Sequence, residues 1–155
     1  MALKKRVMIA CVSFEVAMVV QPAVDYRADE VHLFHYVRSE NNPDADVYAD
    51  FYQEVCRQLK EALPQAEVVE HKDDPIYSFQ LMLRDLLAAV TESRRSCPEA
   101  DLLINASSGP SEFSAAAIIV AMMTPGATAF TVSTKKYTIS TPALKQVYYR
   151  EGRPI

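Results

Sequence analysis

Ile104-Asn105-Ala106-Ser107-Ser108-Gly109-Pro110-Ser111-Glu112 is the stretch on which the reading of this chain turns. It links an apolar strand expected over 101–105 to a helix expected over 110–123, so it is a turn between two buried elements. The chain has three glycines, and one of them, Gly109, falls here. A tight turn and a close backbone approach both favour that residue. Pro110 suits a first helical position, and Glu112 falls where a capping-box carboxylate would sit. Ser107, Ser108 and Ser111 add hydroxyls that donate or accept, and the free N–H groups of a helix start favour an anion or a phosphate. The plainer alternative is that Ser-Gly-Pro caps a helix and does nothing else.

Working outward, apolar runs of strand length alternate with segments of helical period. Val7–Val12 is continuously apolar, as expected of a strand covered on both faces. Ser13 then reads as an N-cap for a short helix running toward Val20, with Pro22 near its end. A second strand is expected over Glu30–Val37, and Asn41-Asn42-Pro43 marks a turn in the polar segment Arg38–Asp46. Val47, Phe51, Val55 and Leu59 recur at helical spacing until Pro64. Ala66–Glu70 reads as a third strand. Ile76, Phe79, Leu83, Leu86, Leu87 and Val90 form a second helical stripe, starting behind Asp73-Asp74-Pro75. A fifth strand is expected over Ala127–Thr134, and Val147–Arg150 reads as a last, edge strand.

This alternation implies an α/β, three-layer, Rossmann-like fold: a mostly parallel sheet with helices on both faces. Right-handed crossovers put the first and fourth strands side by side at the sheet centre, and ligands bind beyond their C-terminal ends. The loops expected to meet there are Val12–Glu15 and Asn105–Glu112. With 155 residues, 50% hydrophobic and 23% charged, the chain fits one ordinary globular domain over 1–155. A formal net charge of -4 excludes a general polyanion binder. Cys11, Cys56 and Cys97 are scattered and odd in number, which argues against a disulfide framework and for a reduced, cytoplasmic setting. No secretory leader or membrane span is legible.

Three patterns are absent. The Gly109 turn lacks the Lys-Ser/Thr ending of a Walker A loop, neither loop carries G-x-G-x-x-G, and there is no Gly-x-Ser-x-Gly elbow. His32 and His35 sit three apart on one strand, point to opposite faces and cannot share a metal. The cysteines lack ligand spacing. Lys135-Lys136 and Arg94-Arg95 read as a solvated pair and a helix-end pair, and Asp44, Asp46 and Asp50 as a solvated helix start. No cofactor, metal site or catalytic nucleophile–base pair is expected. The helix over Phe113–Met123 is apolar almost all round, so a second face needs a cover, and a partner subunit is the simplest. A C-terminal segment folding over it is the alternative.

A strand ending in Asn, followed by a small residue, Ser-Ser-Gly and an apolar small-residue helix, resembles the fourth-strand motif of CARF domains, the CRISPR-associated Rossmann-fold sensors of cyclic oligoadenylate. The opening Arg6–Glu15 is similar to the start of archaeal CARF-like transcriptional regulators, with Val31-His32-Leu33 matching their second strand. The resemblance implies a homodimer binding a cyclic oligonucleotide across its two-fold axis. It also implies a ligand site of Ser13, Phe14, Ser107, Ser108, Gly109 and Ser111, to which the turn adds Asn105 and Pro110 as candidates, and regulation of an effector or of transcription. Many members follow the glycine with Thr-Lys. Here Pro110-Ser111-Glu112 follows instead, so the phosphate-binding lysine is missing and Glu112 adds a carboxylate. No winged helix-turn-helix is legible, so DNA contact is expected only through a separate effector domain. A ring nuclease cleaving its own cyclic ligand and a ligand-free dimerisation scaffold are the alternatives.

Overall fold

The computed structural model describes residues 4–35, 49–72 and 75–132, and strands at 138–140, 147–150 and 153–154. The elements run β1 (Arg6–Cys11), α1 (Val16–Tyr26), β2 (Glu30–His35), α2 (Ala49–Ala62), β3 (Glu67–Lys72), α3 (Phe79–Ser96), β4 (Asp101–Asn105), α4 (Ser111–Met123) and β5 (Ala127–Phe130). β6 (Thr138–Ser140), β7 (Val147–Arg150) and β8 (Arg153–Pro154) follow. The first five strands form one sheet in the order β3-β2-β1-β4-β5, parallel at every pairing. The expected α/β Rossmann-like fold is therefore present, with β1 and β4 adjacent at the point where the strand order reverses.

The two faces divide by residue parity, because successive strand side chains point opposite ways. Val7, Ile9 and Cys11 of β1 join Leu86 and Val90 of α3 and Phe113, Ala117 and Val120 of α4 in one core. Met8, Ala10 and Val12 join Val19 and Ala23 of α1 and Val55 and Leu59 of α2 in the other. β1 buries both faces, and its residues from Val7 to Cys11 are at most 1% exposed, which is why its sequence reads as an unbroken apolar run.

Several boundaries differ from the sequence reading. Ser13 is not a helix cap: α1 starts after Glu15, with no side-chain cap bond. It also continues through Pro22 to Tyr26, where the sequence suggested an early stop. α3 starts at Phe79, with Ser78 Oγ accepting from Leu81 N at 3.3 Å. That is an ordinary N-cap, and it lies later than the Asp73-Asp74-Pro75 start, whose two acids fall outside the described residues. Pro110 is the N-cap of α4 with no side-chain cap bond. Glu112 thus sits one position short of the capping-box site, which Phe113 holds. β5 ends at Phe130 rather than Thr134. Val147–Arg150 does form a strand, but it pairs antiparallel with β6 and β8 in a separate sheet. The turn and helix start expected over 36–48, including Asp44 and Asp46, and the Lys135-Lys136 pair lie outside the described residues. None of the described helices is long and apolar enough to cross a membrane.

Candidate functional site

At the C-terminal ends of β1 and β4 the two expected loops meet, joined by short polar contacts. Cys11 N donates to Ser108 Oγ at 3.1 Å, and Ser13 Oγ donates to Ser108 O at 2.9 Å. Gly109 fits against Cys11 so closely that an added Cβ would lie 2.7 Å from Cys11 Cβ and 2.8 Å from its Sγ. Close approach is thus the reason for this glycine; its φ is not positive, whereas Gly126 has φ 78.

The sequence-selected residues separate by what they already hold. Asn105 is fully buried; its Nδ2 donates to Met18 O at 2.7 Å and its Oδ1 accepts from Ser107 N at 2.9 Å. Ser107 Oγ accepts from Val132 N at 2.8 Å, tying the turn to the chain after β5. Ser108 is buried between the loops. Phe14 meets Phe51 of α2 edge-on, with ring centroids 5.4 Å apart. Ser111 is exposed, with its Oγ 3.4 Å from Glu112 Oε2. Asn105, Ser107 and Ser108 therefore build the frame of the turn, and Ser13, Gly109, Pro110 and Ser111 form its half-buried or exposed rim.

The N–H groups of Ser111, Glu112 and Phe113 lie in the first turn of α4, where no intrahelical acceptor exists. Ser114 N is the first to bond back, to Pro110 O at 3.0 Å. The positive end of the helix dipole opens at the same place. Glu112 is the acidic residue of that turn, so part of the field is already met by a carboxylate.

On the α3/α4 side runs a polar chain that no motif in the sequence marks. Lys5 Nζ pairs with Glu30 Oε2 at 2.6 Å, and His32 Nε2 donates to Glu30 Oε1 at 2.8 Å. His32 Nδ1 faces His71 Nε2 at 2.8 Å, and the His71 ring stacks on Phe34 with centroids 4.2 Å apart. His35 lies on the opposite face, stacked on Tyr52 at 3.9 Å. Among the described residues no group of three His, Cys, Asp or Glu is placed to hold a metal. Burial, reinforced by His32, pushes His71 down to about 4.

A histidine held neutral in the fold loses stability to the unfolded chain, which takes up the proton more readily. Stability is expected to fall as pH drops from 6.5 toward 4 and to level off below. The loss is about 2 kcal/mol once the solvent-facing part of the ring is discounted. Chemical denaturation across that range should show the slope, and His71→Phe should flatten it. An unchanged slope in that variant would assign the effect to another group.

Comparisons with known proteins agree with this geometry. The chain is similar to Csm6 of Enterococcus italicus, solved bound to cyclic hexa-2'-fluoro-hexa-dAMP. The TM-score is 0.66 at 12% identity, covering 86% of this chain and 35% of that one. It is also similar to Can2 of Sulfobacillus thermosulfidooxidans, solved in complex with cyclic tetra-adenylate. Here the TM-score is 0.61 at 16% identity, covering 97% of this chain and 38% of that one. At such identities the likeness is one of fold, and the chain spans little more than a third of either protein. The resemblance to CARF domains read from the sequence holds at that level. No curated protein matches the sequence. Residues 6–137, which span the whole five-stranded sheet and all four helices, match the family described as "HFX_2341_N:-like, N-terminal", and the chain belongs to that family.

Proposed function

We propose that this chain is a CARF-type sensor domain, cytoplasmic and homodimeric, that binds a cyclic oligoadenylate at the Gly109 turn and passes the binding event to an effector or to transcription. The observation that carries the reading is the meeting of the β1 loop with the Gly109 turn, beside the open N-terminus of α4. Phosphates are well matched to such a helix start. The ligands named for Csm6 and Can2, each solved on a similar fold, favour a cyclic adenylate over other anions. The rim residues Ser13, Gly109, Pro110 and Ser111 would touch the ligand, while Asn105, Ser107 and Ser108 would hold the turn that presents it.

The dimer reading draws on α4. One face packs on the sheet through Phe113, Ala116, Ala117, Val120 and Ala121. The other exposes Ile118 at 44%, Met122 at 82% and Met123 at 60%. An apolar stripe of this kind on a surface helix favours a protein contact, and a two-fold axis beside α4 would bring two Gly109 turns to one ligand.

Thermal melts with cyclic tetra-adenylate and cyclic hexa-adenylate test both halves. Ligand at about a hundredfold over its Kd should add about 2.7 kcal/mol of stability. Ile118→Asp should give a monomer in sizing experiments and lose that stabilisation. No shift with either ligand would overturn the sensor reading, and a wild-type monomer would overturn the dimer. Chromatography of the recovered ligand separates sensor from ring nuclease. A ligand-free scaffold is favoured by one observation, the Glu112 carboxylate in the anion-facing turn, and the same melts decide it.

A further inference from the structure

The opposite end of the sheet carries a second concave site. A cavity of about 560 Å³ opens at the N-terminal ends of the strands, lined by Lys4, Arg6, Arg27, Asp29 and Asp101. Its parts come from separate places: the lead into β1, the last residue of the α1 cap, the lead into β2 and the start of β4. The backbone there is tightly fixed. Arg6 N donates to Asp29 Oδ2 at 2.9 Å, Asp29 N donates to Arg6 O at 2.8 Å, and Asp101 N donates to Lys5 O at 2.8 Å. Arg6 Nη1 donates to Tyr26 O at 2.6 Å, at the end of α1.

The charges in this cavity are not used against one another. Among the described residues no ion pair joins Lys4, Arg6 or Arg27 to Asp29 or Asp101. Lys4, Arg6 and Arg27 outnumber the two carboxylates of the lining, a local excess of positive charge in a chain whose formal net charge is -4. Arg27 adds a second, independent sign. It has φ 54 and ψ 55, the left-handed conformation, and it is the one non-glycine residue so placed among those described. Glycine is the ordinary choice for that cap. A long cationic side chain held there at a conformational cost points to a use for the side chain. An adjoining cavity of about 290 Å³ shares Arg6 and Asp101 and reaches Gly126, over which the Arg94 guanidinium lies.

We infer that this N-terminal-edge cavity is a binding site for an organic phosphate bearing free hydroxyls, separate from the Gly109 turn. Lys4, Arg6 and Arg27 hold the phosphate by charge-assisted hydrogen bonds. Asp101, with the second oxygen of Asp29, accepts from the hydroxyls, which cations alone would not select. A purely inorganic anion leaves both carboxylates facing negative charge, so the mixed lining discriminates in favour of the hydroxylated ligand.

The test uses the full chain with ribose 5-phosphate and inorganic phosphate as probes, followed by isothermal titration and phosphorus NMR line broadening. Ribose 5-phosphate should bind more tightly than inorganic phosphate. Arg27→Gly should weaken it at least about fivefold, the loss of one charge-assisted contact. This variant keeps its fold because glycine relieves the left-handed strain, and an unchanged or raised Tm verifies that. Asp101→Asn should narrow the preference for ribose 5-phosphate over inorganic phosphate. Failure of ribose 5-phosphate to bind, or binding that Arg27→Gly leaves untouched, overturns the site; the second result would assign any affinity to the Gly109 turn. Equal binding of the two probes overturns the role of the carboxylates.

Discussion

Gly109→Ala should destabilise the domain by about 3 kcal/mol, the upper end of the cost of overpacking a tight core. A new Cβ would sit 2.7 Å from Cys11 Cβ and 2.8 Å from Cys11 Sγ, with Phe113 Cβ 3.2 Å away on the α4 side. Cys11 and Phe113 are both fully buried. The sulfur can rotate; a Cβ is fixed by the backbone, so β1 or the turn itself has to move. Removing a glycine restricts the unfolded chain and returns about 0.4–1 kcal/mol, too little to offset the collision. For a domain of this size the net effect is a Tm lower by roughly 6–12 °C. Cys11→Ala in the same background should recover less than half, because it removes the sulfur and leaves the Cβ. Urea unfolding of wild type, Gly109→Ala, Cys11→Ala and the double variant measures this. A Gly109→Ala protein within about 0.5 kcal/mol of wild type, the scatter of a neutral substitution, would show that the turn has slack. The result bears on the site as well, since a bulky residue at Gly109 would disturb the fold along with any binding and cannot isolate the ligand contact.

Much of the architecture was legible because it follows from period and handedness. The unbroken apolar run Val7–Val12, the stripe ending at Leu59 and the strand before Asn105 each state an element. Right-handed crossovers then leave few ways to order the strands. The meeting of the β1 loop with the Gly109 turn follows from that order. Two of the misplaced boundaries, at Ser13 and at Pro22, share one cause: the cap or helix stop is decided by a partner distant in sequence. Ser13 looks like a cap in its own segment, yet its hydroxyl is taken by Ser108 O, 95 positions away. The hydroxyls of Ser107 and Ser108 look available for a ligand until Val132 N and Cys11 N are placed beside them. The Lys5–Glu30–His32–His71 chain and the Lys4–Arg6–Arg27 cavity had no local signal, because each assembles from residues that only the sheet order brings together.

Asn105 is likewise engaged by a partner far away in sequence. In α1 the carbonyl of Met18 should accept from the N–H four residues on, but that residue is Pro22, which has none. The helix nonetheless continues to Tyr26, because Asn105 Nδ2 reaches in from the end of β4 and donates to Met18 O at 2.7 Å. One side chain therefore repairs the proline break in α1 and, through Oδ1 and Ser107 N, starts the turn of the candidate site. Asn105→Ala removes the Nδ2 donor from the buried Met18 carbonyl and the acceptor from Ser107 N, at a cost of about 3 kcal/mol. Asn105→Asp should cost at least as much, since it sets a carboxylate oxygen against the carbonyl it was meant to satisfy. Pro22→Ala restores the missing N–H, so in that background Asn105→Ala should cost about 1–2 kcal/mol less, a coupling typical of residues sharing one partner. Urea unfolding of the two single variants and the double variant closes this cycle. Additivity within about 0.5 kcal/mol, the value for independent sites, would mean that Met18 O finds another donor. A clear coupling would mean that the proline in α1 and the asparagine at the head of the turn act as one unit, fixing α1 against the Gly109 turn.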